Sequence, residues 1–303
     1  MKTLAVTGGT GFVGGHLLRL AVAAGYRVKA LTRKPQSPYE GIDWISGSLD
    51  DSNSLQQLAE GADAVIHIAG AINAADRDGF AGPNIEGTRH MLAAADAAGA
   101  RRFIHISSLA AREPELSNYG WSKAESETLV RAAHIDWTII RPPAVYGPGD
   151  GETLELFAMA KRGLVIAPPS GRTSLIHVED LCALILASLE ADAAKGATFE
   201  PDDGTTNGLS HVEFGKALGN AFGKSARVIS MPAPIVRLGA RLDRLFRGED
   251  AKLTPDRARY FCHPDWVVNP ALVPPTSLWA PQIPYQKGFE STAKWYLDQG
   301  WLD

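Results

Sequence analysis

The sequence has little cysteine and no excess of basic charge. Its 303 residues include two cysteines, Cys182 within an apolar run and Cys262 beside His263. Two cysteines without ligand spacing indicate core packing rather than a metal site, so we expect no bound metal. Lysine and arginine total 30 against 34 acidic residues, which gives a formal net charge of -4. Because a nucleic-acid backbone requires a concentrated basic surface, the sequence predicts no nucleic-acid partner.

Long apolar runs are also missing. A membrane-spanning helix needs about 20 predominantly apolar residues, and no stretch approaches that length. The opening residues, Met1 to Thr7, lead into glycines too soon for a signal peptide. We therefore expect a cytoplasmic protein without a spanning helix. One segment, Pro234 to Phe246, is basic and amphipathic, which favours an ordinary half-buried helix, with contact to a membrane surface as the alternative.

Short apolar runs alternate with stretches of helical periodicity. Strands are predicted at Thr3–Thr7, Arg27–Leu31, Ile42–Ile45, Ala64–Ala69, Arg102–Ser107 and Trp137–Ile140, and helices at about 12–24, 51–60, 84–98, 119–133 and 152–162. Near-continuous apolar strands separated by helices are typical of a parallel sheet covered on both faces. The sequence therefore predicts an α/β fold with a doubly wound parallel (Rossmann) sheet.

The alternation weakens beyond about residue 145, where prolines and glycines become frequent. Residues 1–150, with a return segment at about 174–190, are predicted to form the dinucleotide-binding domain. Residues 151–173 and 191–303 are predicted to form a smaller, mostly C-terminal substrate-binding region. That region carries no diagnostic motif, so the sequence does not identify the substrate.

The first predicted strand ends in a glycine-rich loop. Gly8, Gly11 and Gly14 stand at a GxxGxxG spacing between that strand and the next helix. Glycines there permit a tight turn, close approach of a pyrophosphate and close packing of helix on strand, while the helix N-terminus supplies amide donors. We predict that this loop binds a dinucleotide through Gly8, Thr10, Gly11, Phe12, Val13 and Gly14.

The end of the second strand bears on the choice of nicotinamide cofactor. An acidic residue there accepts from the ribose 2′-hydroxyl of NAD, whereas an arginine accommodates the 2′-phosphate of NADP. The sequence at this point is Thr32-Arg33-Lys34, with no acidic residue. Arg33 therefore favours NADP, with NAD as the alternative. In the other interpretation, Arg33 and Lys34 belong to a plain solvated loop.

Tyr119 and Lys123 stand four residues apart, downstream of Ser108. If a helix begins near Tyr119, this spacing places the phenol and the ammonium on one face, one turn apart. The charge of Lys123 is expected to lower the pKa of Tyr119 toward working pH, as a general acid or base requires. Ser108 is expected to hydrogen-bond the substrate oxygen. A Tyr-xxx-Lys pair also occurs by chance on protein surfaces, which is the alternative interpretation.

Together these motifs resemble the extended branch of the short-chain dehydrogenase/reductase superfamily, which includes NAD-dependent epimerases and dehydratases. The resemblance lies in six ordered segments: Thr7–Gly14, Asn84–Thr88, Tyr119–Lys123, Arg141–Gly149, Ile176–Asp180 and Lys287–Tyr296. It implies NAD(P)-dependent oxidoreductase chemistry on a Rossmann fold.

The resemblance also implies roles for individual residues. Tyr119 would exchange a proton with the substrate oxygen, Lys123 would hold the nicotinamide ribose, and Ser108 would orient the substrate. Four further residues receive cofactor-side or supporting roles: Asn84 for the helix that carries the site, Leu49 and Ala69 beside the adenosine, and Pro142 beside the nicotinamide. The alternative roles are helix capping for Asn84 and simple packing for the others.

Three functions stay open from the sequence. The first is an NADP-dependent oxidoreductase that interconverts a carbonyl and a secondary alcohol on a small or medium, partly apolar molecule. The second is a sugar-nucleotide epimerase or dehydratase, and the third a non-catalytic NADP-binding regulatory or complex-associated protein. The interval from Ser108 to Tyr119 is shorter than is usual in sugar-nucleotide enzymes, which favours the first. The expected partner is a small-molecule substrate, and a homodimer is one open oligomeric state.

Overall fold

The computed structural model describes residues 1–248 and 253–303, without the side chain of Arg244. The chain divides into two compact units. Unit 1 comprises Met1–Pro142, Leu181–Pro201 and Leu272–Ala280, and unit 2 comprises Pro143–Asp180, Asp202–Ala271 and Pro281–Asp303. The assignment of cofactor and substrate to separate domains stays a prediction.

Unit 1 is built on a parallel sheet. Its strands are β1 (Thr3–Thr7), β2 (Arg27–Thr32), β3 (Ile42–Ser46), β4 (Ala64–His67), β5 (Arg102–Ile106), β6 (Asp136–Ile140) and β11 (Ala197–Phe199). Among the described residues these strands are ordered β11-β6-β5-β4-β1-β2-β3, and every pairing is parallel. The strand order reverses at β1, as in a dinucleotide-binding fold. The predicted doubly wound parallel sheet is confirmed.

The helices of unit 1 are α1 (Phe12–Ala23), α2 (Ser52–Ala59), α3 (Arg77–Ala81), α4 (Gly87–Ala97) and α5 (Asn118–Ala132). Helix α7 (Val178–Ala187) belongs to unit 1 from Leu181 onward. A π-helical turn, Gly82–Glu86, joins α3 to α4, and a 3-10 turn, Leu109–Arg112, precedes α5. The apolar core of the unit includes Leu55, Val65, Met91, Phe103 and Ile139, all fully buried.

Unit 2 has shorter strands. Its strands are β7 (Ala144–Tyr146), β8 (Leu164–Ala167), β9 (Arg172–Thr173), β10 (Leu175–His177), β12 (Leu209–Ser210), β13 (Arg227–Ser230) and β14 (Asp265–Trp266). Its helices are α6 (Leu154–Lys161), α8 (His211–Asn220), α9 (Ala233–Arg247), α10 (Pro255–Phe261) and α11 (Tyr285–Asp298). The core is aromatic: Phe157 packs edge to face on Tyr296, with ring centroids 5.2 Å apart, and on Phe289 at 5.8 Å.

The basic amphipathic segment near the middle of unit 2 forms α9, as the periodicity predicts. Its large apolar side chains are exposed, however, including Leu245 and Phe246 at the end of the helix. The helix buries one side, at Ala240, as the expectation of a half-buried helix requires, but no described part of the chain covers its large apolar side chains. Across the described residues, no helix has the length and apolar character needed to cross a bilayer.

Candidate active site

The glycine loop after β1 is as tight as its sequence predicts. Gly8 has a φ of +76°, and a Cβ there would lie 2.7 Å from the amide nitrogen of Ala69, just after β4. A Cβ on Gly14 would lie 2.1 Å from the carbonyl oxygen of Gly8. Only glycine fits at both positions, since the alternative is a collision with backbone atoms that cannot move aside. The loop thereby brings the backbone of β1, α1 and the end of β4 together.

The start of α1 offers free amide groups to a ligand. Gly11 is the N-cap residue, so no side chain caps the helix, and the first turn contains no acidic residue. The first amides of a helix have no intrahelical partner and carry the positive end of the helix dipole. Thr10 and Gly11 are exposed, whereas Phe12 and Val13 are half-buried. This arrangement suits an anionic group such as a pyrophosphate.

Ser108, Tyr119 and Lys123 meet at the carboxyl end of β5. Ser108 is buried and caps the 3-10 turn, its Oγ accepting from the amide of Ala110 at 3.2 Å. Tyr119 lies in the first turn of α5, half-buried, with its phenol near the Ser108 side chain. Lys123, one turn later, is buried, and its Nζ donates to the carbonyl oxygen of Ile106 at 2.8 Å. Residues separated by fifteen positions of sequence thus share one small region of unit 1.

Burial dominates the electrostatics of this trio. It raises the pKa of Tyr119 above its ordinary value, and the hydrogen bond with Ser108 only partly opposes the shift. Burial also lowers the pKa of Lys123 to about 8, against the attraction of the Glu127 carboxylate. The expected lowering of the Tyr119 pKa is therefore wrong for this structure, because the ammonium bonds a backbone carbonyl and desolvation of the phenolate outweighs its charge. A phenol with a raised pKa stays protonated at neutral pH.

Asn84 connects the loop after β4 to α5. It is buried within the π-helical turn, where its Oδ1 accepts from the amide of Ala71 at 2.7 Å and its Nδ2 donates to Ser122 Oγ at 2.8 Å. A Cβ on the neighbouring Gly70 would lie 2.6 Å from Asn84 Oδ1 and 3.6 Å from Lys123 Nζ. Asn84 is not at a helix N-cap. Its side chain instead links the loop at Ala71 to Ser122 of α5.

The other predicted cofactor residues lie at the carboxyl ends of strands. Arg33 directly follows β2 and is exposed. Leu49 follows β3, is half-buried and packs against Gly87. Ala69 follows β4, and its amide donates to Thr7 Oγ1 at 3.2 Å. Pro142 follows β6, is buried, and its carbonyl accepts from the amide of Leu109 at 2.9 Å. Ligands of doubly wound sheets bind at this edge.

A buried histidine that the sequence reasoning missed ties these parts together. His67, the last residue of β4, lies between Thr7 Oγ1 at 2.8 Å from Nδ1 and Thr88 Oγ1 at 3.0 Å from Nε2. Thr88 in turn donates to the carbonyl of Asn84 at 2.7 Å. Burial, with a smaller contribution from Lys123, lowers the pKa of His67 to about 3, so the ring is neutral. The sequence signal that could have identified His67 is a histidine within the otherwise apolar strand Ala64–His67.

The bond directions fix the tautomer of His67. Thr88 donates its hydroxyl proton to the carbonyl of Asn84, so its oxygen accepts a hydrogen bond from Nε2–H of the ring. Thr7 accepts from the amide of Ala69, so its own proton goes to Nδ1. The result is one continuous chain of hydrogen bonds from the amide of Ala69 to the carbonyl of Asn84. It joins the loop region to the π-helical turn.

A second missed feature is a buried ion-pair network on α5. Glu127, one turn after Lys123, accepts from Arg141 Nε at 2.8 Å and Nη2 at 2.7 Å, and from Ser107 Oγ at 2.6 Å. Arg141 also donates to Glu200 Oε1 at 3.2 Å. Burial alone would raise the pKa of Glu127, but the hydrogen bonds and charge of Arg141 outweigh it and leave the pKa lowered. The network fixes α5 to the ends of β5, β6 and β11.

The sequence model of the NAD dependent epimerase/dehydratase family matches residues 4–200. The chain belongs to this family. It is 38% identical to the ceramide reductase of Caulobacter vibrioides (strain NA1000 / CB15N), over 99% of this chain and 96% of that protein. The resemblance drawn from the sequence motifs is confirmed.

Solved structures of other proteins share the fold. The human epimerase family protein SDR39U1 (isoform 2), solved with NADPH, superposes with a TM-score of 0.76 at 19% identity, covering 97% of this chain and 99% of that one. MoeE5, in complex with UDP-glucuronic acid and NAD, superposes with a TM-score of 0.75 at 19% identity, covering 99% of this chain and 100% of that one. Family membership and the reductase relative together support an NAD(P)-dependent oxidoreductase.

Proposed function

We propose that the protein is an NADP-dependent reductase that converts a ketone of a ceramide-like lipid to a secondary alcohol, with Tyr119 as the proton donor. The observation that carries the proposal is the placement of the Ser108 and Tyr119 hydroxyls at the carboxyl end of β5, with the buried Lys123 ammonium one turn beyond Tyr119 on α5. Two hydroxyl donors converging on one point suit a carbonyl oxygen that gains negative charge during reduction.

The proposed cofactor fits the residues present. The glycine loop makes a tight turn, because a Cβ at Gly8 or Gly14 would collide with backbone atoms, and the start of α1 supplies uncapped amides for a pyrophosphate. Arg33 is exposed at the end of β2, and no acidic residue stands beside it to accept from a ribose 2′-hydroxyl. A guanidinium in this place suits a 2′-phosphate, which favours NADP over NAD.

When bound, the nicotinamide supplies the hydride. The residues of this chain handle the oxygen and its proton. Ser108 and Tyr119 bind the carbonyl oxygen, and Tyr119 donates its proton as that oxygen becomes an alkoxide, so the ketone leaves as an alcohol. The raised pKa of Tyr119 keeps the phenol protonated until that moment. The Lys123 ammonium then stabilises the phenolate, which recovers its proton from solvent.

The substrate class comes from the reductase relative and from the length of the chain between Ser108 and Tyr119. The likeness to ceramide reductase extends over nearly the whole of both chains, so it includes unit 2 as well as the cofactor loop. The short Ser108–Tyr119 interval forms a 3-10 turn and the start of α5, without an inserted loop to contact a sugar nucleotide. Both features favour an apolar ketone.

The test follows nicotinamide absorbance with a detergent-dispersed ceramide that carries a ketone in place of a secondary hydroxyl. We expect oxidation of NADPH faster than of NADH, and a fall in kcat of about 10²- to 10⁴-fold for Tyr119→Phe. Tyr26→Phe is the matched control, because Tyr26 lies just before β2 at the opposite edge of the sheet.

Three results would count against the proposal. Activity that survives Tyr119→Phe removes the acid role, and faster turnover with NADH removes the NADP assignment. Conversion of a sugar nucleotide without net consumption of cofactor would instead show an epimerase or dehydratase.

A further inference from the structure

Helix α9 presents an apolar face to solvent. Leu245 and Phe246 are 76% and 81% exposed, and three more apolar side chains about half exposed lie before them: Ile235, Leu238 and Leu242. At about 100° of rotation per residue, these five side chains fall within an arc of about 100°. They form one continuous stripe along the helix, which we call the α9 apolar face.

The α9 apolar face points away from unit 2. The side chains that face the unit are Ala240, which is fully buried, and Val236 and Asp243, which are half-buried. They project from the opposite side of the helix. The aromatic core of the unit is complete without the α9 apolar face, since Phe157, Phe289 and Tyr296 are buried among themselves. The α9 apolar face therefore does not contribute to the core packing of unit 2.

Basic charge accompanies this apolar face. The helix carries four arginines, at positions 237, 241, 244 and 247, and a single acidic residue, Asp243, whereas the whole chain has a net charge of -4. Asp243 is paired with Arg247 at 3.4 Å. Arg237 and Arg241 are exposed and project from the arc next to the apolar face. The charge of this helix is thus opposite to that of the chain and complementary to an anionic surface.

The strand that leads into α9 extends the exposed apolar surface. Ile229 of β13 is exposed and lies in register with Ile166 of β8, which is exposed as well. Leu164, two residues before Ile166, points to the same side of this two-stranded sheet and is also exposed. The chain thus enters α9 through a segment that is itself apolar on its surface.

We propose that α9 is an interfacial helix that lies on an anionic phospholipid bilayer, with its apolar face among the acyl chains and its arginines at the lipid phosphates. A helix of large amphipathicity, with exposed Leu, Ile and Phe on one side and arginines beside them, has the composition of a membrane-surface anchor. Such an anchor holds the enzyme where a water-insoluble substrate resides. The inference itself does not depend on the proposed hydride transfer, since vesicle binding requires no turnover.

The test is sedimentation of the purified full-length protein with sucrose-loaded vesicles. One set is phosphatidylcholine alone, and the other contains one third phosphatidylglycerol. We expect binding to the anionic vesicles that weakens with salt, because the arginine contribution is screened. Leu245→Glu combined with Phe246→Glu should lower the partition coefficient about tenfold or more, and Arg237→Gln with Arg241→Gln should remove the preference for anionic lipid.

The matched control is Val212→Glu combined with Leu297→Glu, two exposed apolar residues on α8 and α11, which add the same charge to other helices of unit 2. It should bind as the wild type does. No binding to anionic vesicles at low salt, or equal losses in the control and in the α9 variant, would overturn the inference. So would a wild-type dimer that dissociates in Leu245→Glu/Phe246→Glu while vesicles recover nothing, since the face would then belong to a second copy.

Discussion

Helices α5 and α9 both have fifteen residues, yet α5 buries ionisable side chains and α9 exposes apolar ones. On α5 the ionisable side chains Lys123 and Glu127 are buried, and each has hydrogen-bond partners on neighbouring strands. On α9 Arg237, Arg241 and Arg247 are exposed to solvent, and the leucines are exposed beside them. The composition of a helix does not by itself decide which of its side chains are buried. The decision depends on whether neighbouring elements supply hydrogen-bond partners for polar side chains and packing for apolar ones.

The partners of α5 explain why its charges tolerate burial. An isolated buried charge costs several kcal/mol, and paired charges repay that cost only with good geometry and full hydrogen bonding. Glu127 has both, through two bonds from Arg141, one from Ser107 and one from Arg131. Because Ser107 and Arg141 lie just after β5 and β6, the network also fixes the position of Tyr119 and Lys123 relative to the sheet.

The largest effect is expected when this network loses Arg141, the cation that Glu127 and Glu200 share, although Glu127 keeps its pair with Arg131. Arg141→Ala leaves Glu127 and Glu200 buried without their common partner, and should lower the free energy of unfolding by about 3–5 kcal/mol. Chemical denaturation followed by circular dichroism measures this loss. Arg241→Ala, which removes an exposed arginine from α9, serves as the control and should cost less than about 0.5 kcal/mol.

A double-mutant cycle separates the ion pair from simple loss of packing. Glu127→Gln removes the carboxylate charge, so Arg141→Ala in that background should cost clearly less than it does alone. If the two changes were additive, or if Arg141→Ala cost under about 1 kcal/mol, the buried charges of α5 would not depend on each other as the contacts indicate.

The next effect concerns pH. Burial lowers the pKa of Lys123 to about 8, so its ammonium is present below that pH and lost above it, while the raised pKa of Tyr119 keeps the phenol protonated throughout. If the ammonium is required, kcat for reduction should be flat below pH 8 and fall about tenfold per unit above it. Glu127→Gln should move this limb to lower pH, because the carboxylate raises the pKa of Lys123.

Stability should change in the other direction over the same range. Between a pKa of about 8 in the folded chain and the ordinary value of 10.5 in the unfolded chain, the unfolded lysine binds more protons. The contribution of Lys123 to the free energy of unfolding therefore rises with pH across that window. Activity that falls in step with the unfolding midpoint would show alkaline denaturation, and the assignment to Lys123 would fail.

The sequence predicts those parts of the site that are local. The glycine spacing between β1 and α1 and the four-residue spacing of Tyr119 and Lys123 each arise within one or two elements, where periodicity and turn chemistry suffice. Other contacts join residues that are distant in sequence: His67 bonds Thr7, 60 residues away, and Arg141 bonds Glu200, 59 residues away. Such contacts depend on the order of the strands in the sheet. Only the fold brings them together.

Which side of α9 is buried also depends on the fold, so the local sequence does not predict it. Its periodicity defines an apolar face correctly, but periodicity does not say what covers that face. The usual expectation is the protein core, and in unit 2 that core is already filled by aromatic side chains such as Phe157 and Phe289. Helix α9 therefore buries the side that contains Ala240 and leaves its large apolar side chains exposed.

The smallest effect is expected on the α9 apolar face itself. Leu238→Gln keeps a good helix former and removes an exposed apolar side chain, so it should change the free energy of unfolding by less than about 0.5 kcal/mol in dilute solution. Leu218→Ala on α8 gives the contrast within the same unit, because Leu218 is fully buried and its truncation should cost about 2–5 kcal/mol. A loss above about 1 kcal/mol for Leu238→Gln, or an unfolding midpoint that rises with protein concentration, would mean that protein already covers this face. Near-neutrality in solution joined to weakened vesicle binding is the combination that a membrane-facing stripe requires, since its apolar residues then contribute to free energy only at the bilayer.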